Sequence, residues 1–198
     1  MKKALLIFSI IIFSVELKAQ DQTEGSYYEP ENRPKFYIGI GSGINAYTGL
    51  AGISANYIIN DKTLFAQGGL GLSAWGIRTS IGIRYDQSYR HGFTFGVNLS
   101  RSSGIDDIDM TFDSGNGSPN EVNMRLESVT TFDLKAGYNW WFGKYNTLNI
   151  SLGYAVPLKN QPWSVKDGST LSAFDRQVLQ LISPGGIIIE GGLTFGIQ

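Results

Sequence analysis

The sequence predicts an all-β chain: an eight-stranded antiparallel transmembrane β-barrel with a short helix in its last external loop. Three observations predict it. Apolar and small residues alternate with a period of two through eight separate segments, the mark of a strand with two unlike faces. Glycine is abundant, at 25 of 198 residues, and aromatics reach 13%, a balance that favours strands and turns. The less apolar face of each segment is glycine, serine, asparagine and threonine, with few of the Lys and Glu residues that keep a water-facing sheet soluble. A hydropathy scan finds no membrane helix after the N-terminal region. Transmembrane strands escape such a scan because their two faces alternate.

Residues 1–19 read as a secretory signal. Lys2 and Lys3 precede an apolar run from Ala4 to Val15, and Glu16-Leu17-Lys18-Ala19-Gln20 leads into polar Asp21-Gln22-Thr23-Glu24. The apolar run is shorter than the ~20 residues of a spanning helix, so cleavage beside Ala19 is expected rather than an uncleaved anchor. Removing Lys2, Lys3, Lys18 and Glu16 takes the formal charge from −1 to −3, which argues against nucleic acid as a partner. The absence of cysteine excludes a lipoprotein anchor, disulfides and thiol chemistry. Residues 20–34, with Pro30 and Pro34, read as a flexible lead-in on the periplasmic side, and residues 35–198 as the barrel.

The first strand is expected from Phe36 to Ile44, setting Phe36, Ile38, Ile40 and Ile44 against Tyr37, Gly39, Gly41 and Gly43. The second, from Leu50 to Ile59, sets Ala51, Ile53, Ala55, Tyr57 and Ile59 against Gly52, Ser54 and Asn56. The third, from Thr63 to Leu72, sets Leu64, Ala66, Leu70 and Leu72 against Phe65, Gln67, Gly69 and Gly71. The fourth sets Ile77, Thr79, Ile81, Ile83 and Tyr85 against Arg78, Ser80, Gly82, Arg84 and Asp86. The fifth alternates from Phe93 to Ser100, the sixth from Thr130 to Trp140, the seventh from Leu148 to Val156 and the eighth from Ile187 to Ile197.

Connector lengths indicate orientation. The connections after the second, fourth and sixth strands are short, whereas residues 102–128 and 157–185 are long. Outer-membrane barrels pair short periplasmic turns with longer extracellular loops, which places both termini in the periplasm. Phe36, Tyr57, Tyr85, Phe93, Tyr138, Trp140 and Phe195 then form an aromatic belt at the periplasmic interface, with Tyr47, Trp75 and Tyr154 toward the outer one.

The Lys18-Ala19-Gln20 signal end, the repeated strand–glycine pattern, Ser183-Pro184-Gly185-Gly186 and the close in Gly191-Gly192-Leu193-Thr194-Phe195-Gly196 resemble the small outer-membrane barrels of Bacteroidota, PorT-like or OmpA/OmpX-like barrel domains. The resemblance spans about Lys35 to Gln198 and implies an outer-membrane protein inserted by the barrel assembly machinery. Many such barrels finish on an aromatic residue that this machinery reads. This sequence ends Phe195-Gly196-Ile197-Gln198, so Phe195 or an altered signal takes that part.

Arg78, Arg84, Asp133, Lys135 and Glu190 are the charges expected in the lumen, where each needs a partner. The resemblance implies an ion-pair network that plugs the lumen; a gate or proton-linked path is the alternative. Asp106, Asp107, Asp109 and Asp113 form an acidic cluster in the first long loop. A solvated loop or a weak cation site are its two readings, without the spacing of a calcium-binding helix–loop–helix. Around Asp113 to Pro119, flanking apolar residues suggest that the fifth and sixth strands continue outward as a hairpin whose edge is open to strand addition. Leu171, Phe174, Val178 and Leu181 share one face of a predicted helix capped by Ser169 or Thr170, expected to cover the barrel mouth, lie on lipid or dock a partner.

His91 is the sole histidine, which excludes a multi-histidine metal site, and it falls on the periplasmic side. No Gly-x-Ser-x-Gly elbow is present. No cofactor and no enzymatic activity are expected. The expected function is that of a non-enzymatic outer-membrane barrel. Its partners are membrane lipid and, through the 102–128 and 157–185 loops, an envelope or extracellular protein, for adhesion, envelope integrity or docking. A narrow pore, a lipid A-modifying enzyme and a soluble ligand-binding barrel are the alternatives.

Overall fold

A computed structural model describes residues 34–60, 63–88, 91–113, 119–142, 145–168 and 170–197. The segment read as a signal, and the lead-in up to Arg33, lie outside the described residues.

In chain order the elements are β1 (Phe36–Ile44), β2 (Ala51–Asn60), β3 (Leu64–Ser73), β4 (Gly76–Asp86), β5 (His91–Ser102), β6 (Ile105–Asp113), β7 (Pro119–Leu126), β8 (Val129–Phe142), β9 (Asn146–Pro157), β10 (Trp163–Val165), α1 (Ala173–Ile182) and β11 (Gly186–Ile197). Eight of the strands close an antiparallel barrel in the order β1-β11-β9-β8-β5-β4-β3-β2. The remaining three form a separate sheet, β10-β7-β6. Closure removes the sheet edges of the barrel, so every barrel strand has two hydrogen-bonded neighbours.

The period of two sets which side chains face outward. Along β4, Ile77, Ile81, Ile83 and Tyr85 point out and are exposed, while Arg78, Arg84 and Asp86 point in and are buried. The same phase holds around the ring: Ile38 and Ile40 face out on β1, Leu134 on β8, Leu152 on β9 and Ile187 on β11. Outward aliphatic and aromatic side chains on the barrel strands reach 70% exposure at Ile81. Inward positions are occupied by Ser54, Asn56, Gln67, Asn98, Ser100, Thr131 and Ser151. A protein that folded around an apolar centre would show the reverse. In the described barrel strands Arg101, at the end of β5 near the long connections, is the one Lys, Arg, Asp or Glu on the outward face.

Apolar side chains gather in two places. One cluster closes the end of the barrel that carries the short turns: Tyr37, Ile58, Phe65 and Tyr145, with Trp141 against them. The other lies at the opposite end and holds together the outer layer built from the long connections. It comprises Trp75, Phe112, Val122, Met124, Leu126, Val129, Trp163 and Leu179. The hairpin β6–β7 is thus not a straight extension of β5 and β8. Gly104, at φ 80°, turns the chain between β5 and β6. β10, from the other long connection, pairs with β7 through Trp163↔Leu126 and Val165↔Met124. This leaves β6 and the short β10 as the two edges of the small sheet.

The helix also departs from its expected start and face. Ser172, not Ser169 or Thr170, is the N-cap: its hydroxyl accepts from the Asp175 amide, and the Asp175 carboxylate accepts from the Ser172 amide, a reciprocal capping box. The box draws Asp175 inward, and Leu179 one turn later follows it into the outer-layer core. Phe174 and Leu181, on the predicted apolar face, stand in the open rather than covering the barrel mouth, the first of the three expected placements. Ser172→Ala should cost the helix about 1 kcal/mol. Limited proteolysis between residues 170 and 185 should accelerate about fivefold, the rate equivalent of that energy when cleavage follows local opening. An unchanged rate would mean that the box does not hold the segment.

Candidate functional site

The lumen and the layer above it are where the fold concentrates polar side chains. From the short-turn end outward, the lumen is filled in tiers. The floor is aromatic: Tyr37 meets Phe65 at 6.1 Å and Trp141 at 6.0 Å between ring centroids, both edge to face. Above it Arg84 lies over the Phe65 ring, 4.7 Å from its centroid. Its guanidinium grips Asp86 at two points, Nε to Oδ1 at 2.7 Å and Nη2 to Oδ2 at 3.2 Å. Asn139 donates to the same carboxylate at 2.9 Å and accepts from Asn149 at 2.6 Å.

The next tier pairs Lys135 Nζ with Glu190 Oε1 at 2.5 Å. The other Glu190 oxygen accepts from the Tyr47 amide at 3.2 Å, and the Lys135 ammonium sits 3.9 Å from the Tyr47 ring centroid. The outermost pair is Arg78 with Asp133, Nη2 to Oδ2 at 3.1 Å. Asp133 also accepts from Ser100 and from Thr131, the latter at 2.6 Å. Arg78 Nη2 reaches the Asn45 carbonyl at 3.3 Å as well. Three cations face three anions here, so the described lumen carries no net charge, and each charge has a partner as burial demands.

Two members of this filling escape sequence reasoning. Asp86 shares the inward phase of Arg84, yet at the edge of a turn it is not counted among the expected lumen charges. Tyr47 reads as an outer-belt aromatic, yet the connection between β1 and β2 dips into the barrel. Asn45, at φ 51°, and Gly49, at φ 75°, bend it inward. Ala46 and Thr48 are buried there. On β3, Gly69 and Gly71 leave the space occupied by the backbone of Tyr47 and Thr48; a Cβ at either position would strike their carbonyl oxygens. Trp75, the second aromatic expected at the outer belt, is buried in the outer layer, with its indole Nε1 donating to the Glu127 carbonyl at 2.9 Å. The inward loop leaves little room. The interior cavity bounded by Tyr47, Ser54, Arg84, Asn149, Glu190 and Thr194 has a volume of about 10 Å³, about the space of one water.

Outside, register brings the periplasmic-belt candidates into one band at the short-turn end. Phe36 pairs with Tyr57 across β1 and β2, Tyr85 pairs with Phe95 across β4 and β5, and Phe195 lies on β11 opposite Ile38. Phe93 packs edge to face on Tyr138 at 5.4 Å, and Tyr138 on Trp140 at 4.7 Å. Tyr154 is exposed on the outward face of β9, paired with Ile187. His91 starts β5 at the same end as the aromatic band, and its Nδ1 accepts from the Trp141 amide at 3.2 Å.

The acidic cluster of β6 splits. Asp106 pairs with Arg125 at 2.9 Å, while Asp107 and Asp109 both accept from the Asn123 side-chain Nδ2, at 2.7 and 2.8 Å. That amide, and behind it Lys166, hold the Asp107 carboxyl below the usual carboxylate range. The Asp113 side chain lies outside what is described. Among the described residues no three carboxylate or imidazole groups converge as a metal ion would require.

Comparison with protein-family models, with curated proteins and with solved structures finds no match to this chain.

Proposed function

We propose that this chain is an integral outer-membrane barrel of a Gram-negative bacterium, without enzymatic activity, that carries a folded extracellular layer for adhesion, envelope integrity or docking to an envelope complex. One observation carries the reading: the outward face of the barrel is predominantly apolar, with Arg101 near the long connections its one charge among the described strands, while the inward face is polar and charge-balanced. Water would penalise that outward face over the whole circumference, and hydrocarbon would not. The aromatic band at one end matches an interfacial girdle, and the short turns share that end with Phe36, where the barrel begins, and Ile197, where it ends, the periplasmic arrangement of small barrels. The resemblance to PorT-like and OmpA/OmpX-like barrels points the same way.

The tiers of the lumen speak against a pore. An aromatic floor, two bridging ion-pair layers and an inward loop lie in series, and a conducting path would have to break all of them. The outer layer is the part built to be presented: it has its own core, and its edge strand β6 is unpaired on one side.

The absence of cysteine allows a direct test on intact cells. A membrane-impermeant maleimide should label Asp109→Cys on β6 and leave Gln87→Cys, at the short-turn end, unlabelled until the cells are opened. Labelling of Gln87→Cys alone would invert the orientation, and labelling of neither in intact cells would remove the surface assignment.

A further inference from the structure

Arg101 is the one charge on the outward face of the barrel among the described strands. It lies at the outer end of β5, with Thr79 of β4 and Thr130 of β8 opposite it. Its guanidinium carries five donors. Among the described residues its Nη2 donates to Ser128 Oγ at 3.2 Å, and no carboxylate pairs with it. Glu127, beside Ser128, is already paired with Lys159. From Arg101 toward the short-turn end, the next outward residues of β5 are Leu99, Val97 and Phe95. They lead into an open groove of about 610 Å³ that crosses β4, β5, β8 and β9. Ile83, Phe95, Leu134 and Tyr154 stand around it, and Ala136 is the one small side chain among the outward residues that line it. Register explains the hollow: Ala136 lies between Phe95 of β5 and Leu152 of β9.

We propose that this sector binds one lipid with an anionic phosphate headgroup, the phosphate accepting from Arg101 and an acyl chain running down the outward face of β5 and β8 into the groove. The inference rests on the membrane reading above and names the lipid that this face holds. A cation on the lipid face is tolerated only near an interface, and there a guanidinium matches a phosphate through two parallel hydrogen bonds. The Thr130 hydroxyl shares the same row and can donate beside it. The groove lies at the right depth for the end of an outer-leaflet chain. From Arg101 to Phe95 is about 20 Å along the strand. At a strand tilt of about 40° this becomes about 15 Å of depth, half of a hydrocarbon core of ~30 Å. With its headgroup at Arg101, a chain therefore reaches the hollow over Ala136, and the large side chains around that hollow meet it from the sides.

The test is native mass spectrometry of the intact chain in maltoside micelles, titrated with dimyristoyl phosphatidylglycerol. Two controls separate headgroup from chain: dimyristoyl phosphatidylcholine has the same chains and no net charge, and glycerophosphate has the charge and no chains. One phosphatidylglycerol per protein should be retained saturably, at least tenfold more tightly than phosphatidylcholine, and glycerophosphate should not displace it. Arg101→Gln should weaken retention at least tenfold, as for the loss of a charge-assisted hydrogen bond. Ala136→Phe should fill the groove and weaken retention at least tenfold, the equivalent of about two buried methylenes. Both side chains are exposed on the outward face, and neither belongs to an ion pair among the described residues, so the barrel should fold unchanged in both variants. Equal retention of the two lipids would overturn the proposal. So would displacement by glycerophosphate, or unweakened retention by either variant. A nitroxide at Ile81→Cys that stays shielded from a water-soluble nickel chelate in vesicles would confine such a failure to the lipid site, whereas chelate access there would overturn the membrane reading itself.

Discussion

Glu190→Gln should destabilise the folded barrel by about 3–5 kcal/mol, the usual cost of removing one member of a buried ion pair. The loss comes from Lys135. Its side chain is 5% exposed, its ammonium faces Glu190 and the Tyr47 ring, and the cavity beside this tier is too small to hydrate a free charge. The double change Lys135→Met with Glu190→Leu should recover most of that loss, since an apolar pair of similar volume is often as stable as a buried ion pair. Urea unfolding of vesicle-inserted protein, followed by tryptophan fluorescence, measures both. A cost below about 1 kcal/mol for Glu190→Gln would mean that water reaches the pair, because only exposed pairs are worth so little.

Ile81→Arg should cost about 2–4 kcal/mol in a bilayer, the penalty of a cation on the lipid face at mid-depth of a transmembrane strand. Ile81 stands at the middle of β4 on the outward face, with Leu99 of β5 and Gly68 of β3 opposite it. Its neighbour Ser80 points inward and donates to Ser100 at 2.8 Å. Ser80→Ala should cost about 1 kcal/mol, one buried hydrogen bond, because Ser100 keeps its bond to Asp133. The contrast between adjacent residues carries the information. Equal costs would mean that the two faces of β4 meet similar surroundings.

The strands themselves were legible because a barrel of this kind imposes one rule at every position. Ile77 to Tyr85 alternates without a break, and β4 spans Gly76–Asp86. The glycine-rich β3 was readable for the same reason: Leu64, Ala66, Leu70 and Leu72 keep one phase although Gly69 and Gly71 leave gaps in the other. The inward charges followed from phase as well, with Asp86 missed because a strand end looks like a turn.

The outer layer was harder to read because its contacts are distant in sequence. β10 is three residues long, too short to show a period, and it pairs with β7 across a separation that includes two barrel strands. Trp75 lies in a two-residue connection whose sequence carries no sign that Leu126, Val129 and Trp163 will fold over it. The inward course of Asn45–Leu50 depends on space left by glycines on another strand and on a left-handed asparagine, and neither has a local signature. In α1 the apolar stripe of Phe174, Val178 and Leu181 suggested the buried face. The capping box rotated the helix instead to place Asp175 and Leu179 inside.

The most direct test is a nitroxide scan of β4. Each residue from 76 to 86 is replaced in turn by cysteine, spin-labelled and read in phospholipid vesicles for collision with oxygen, which concentrates in hydrocarbon, and with a water-soluble nickel chelate. The account predicts oxygen accessibility that alternates with a period of two and peaks at 77, 79, 81, 83 and 85, with the chelate excluded from those positions. Chelate access peaking at those same positions, or a flat profile along the strand, would contradict it.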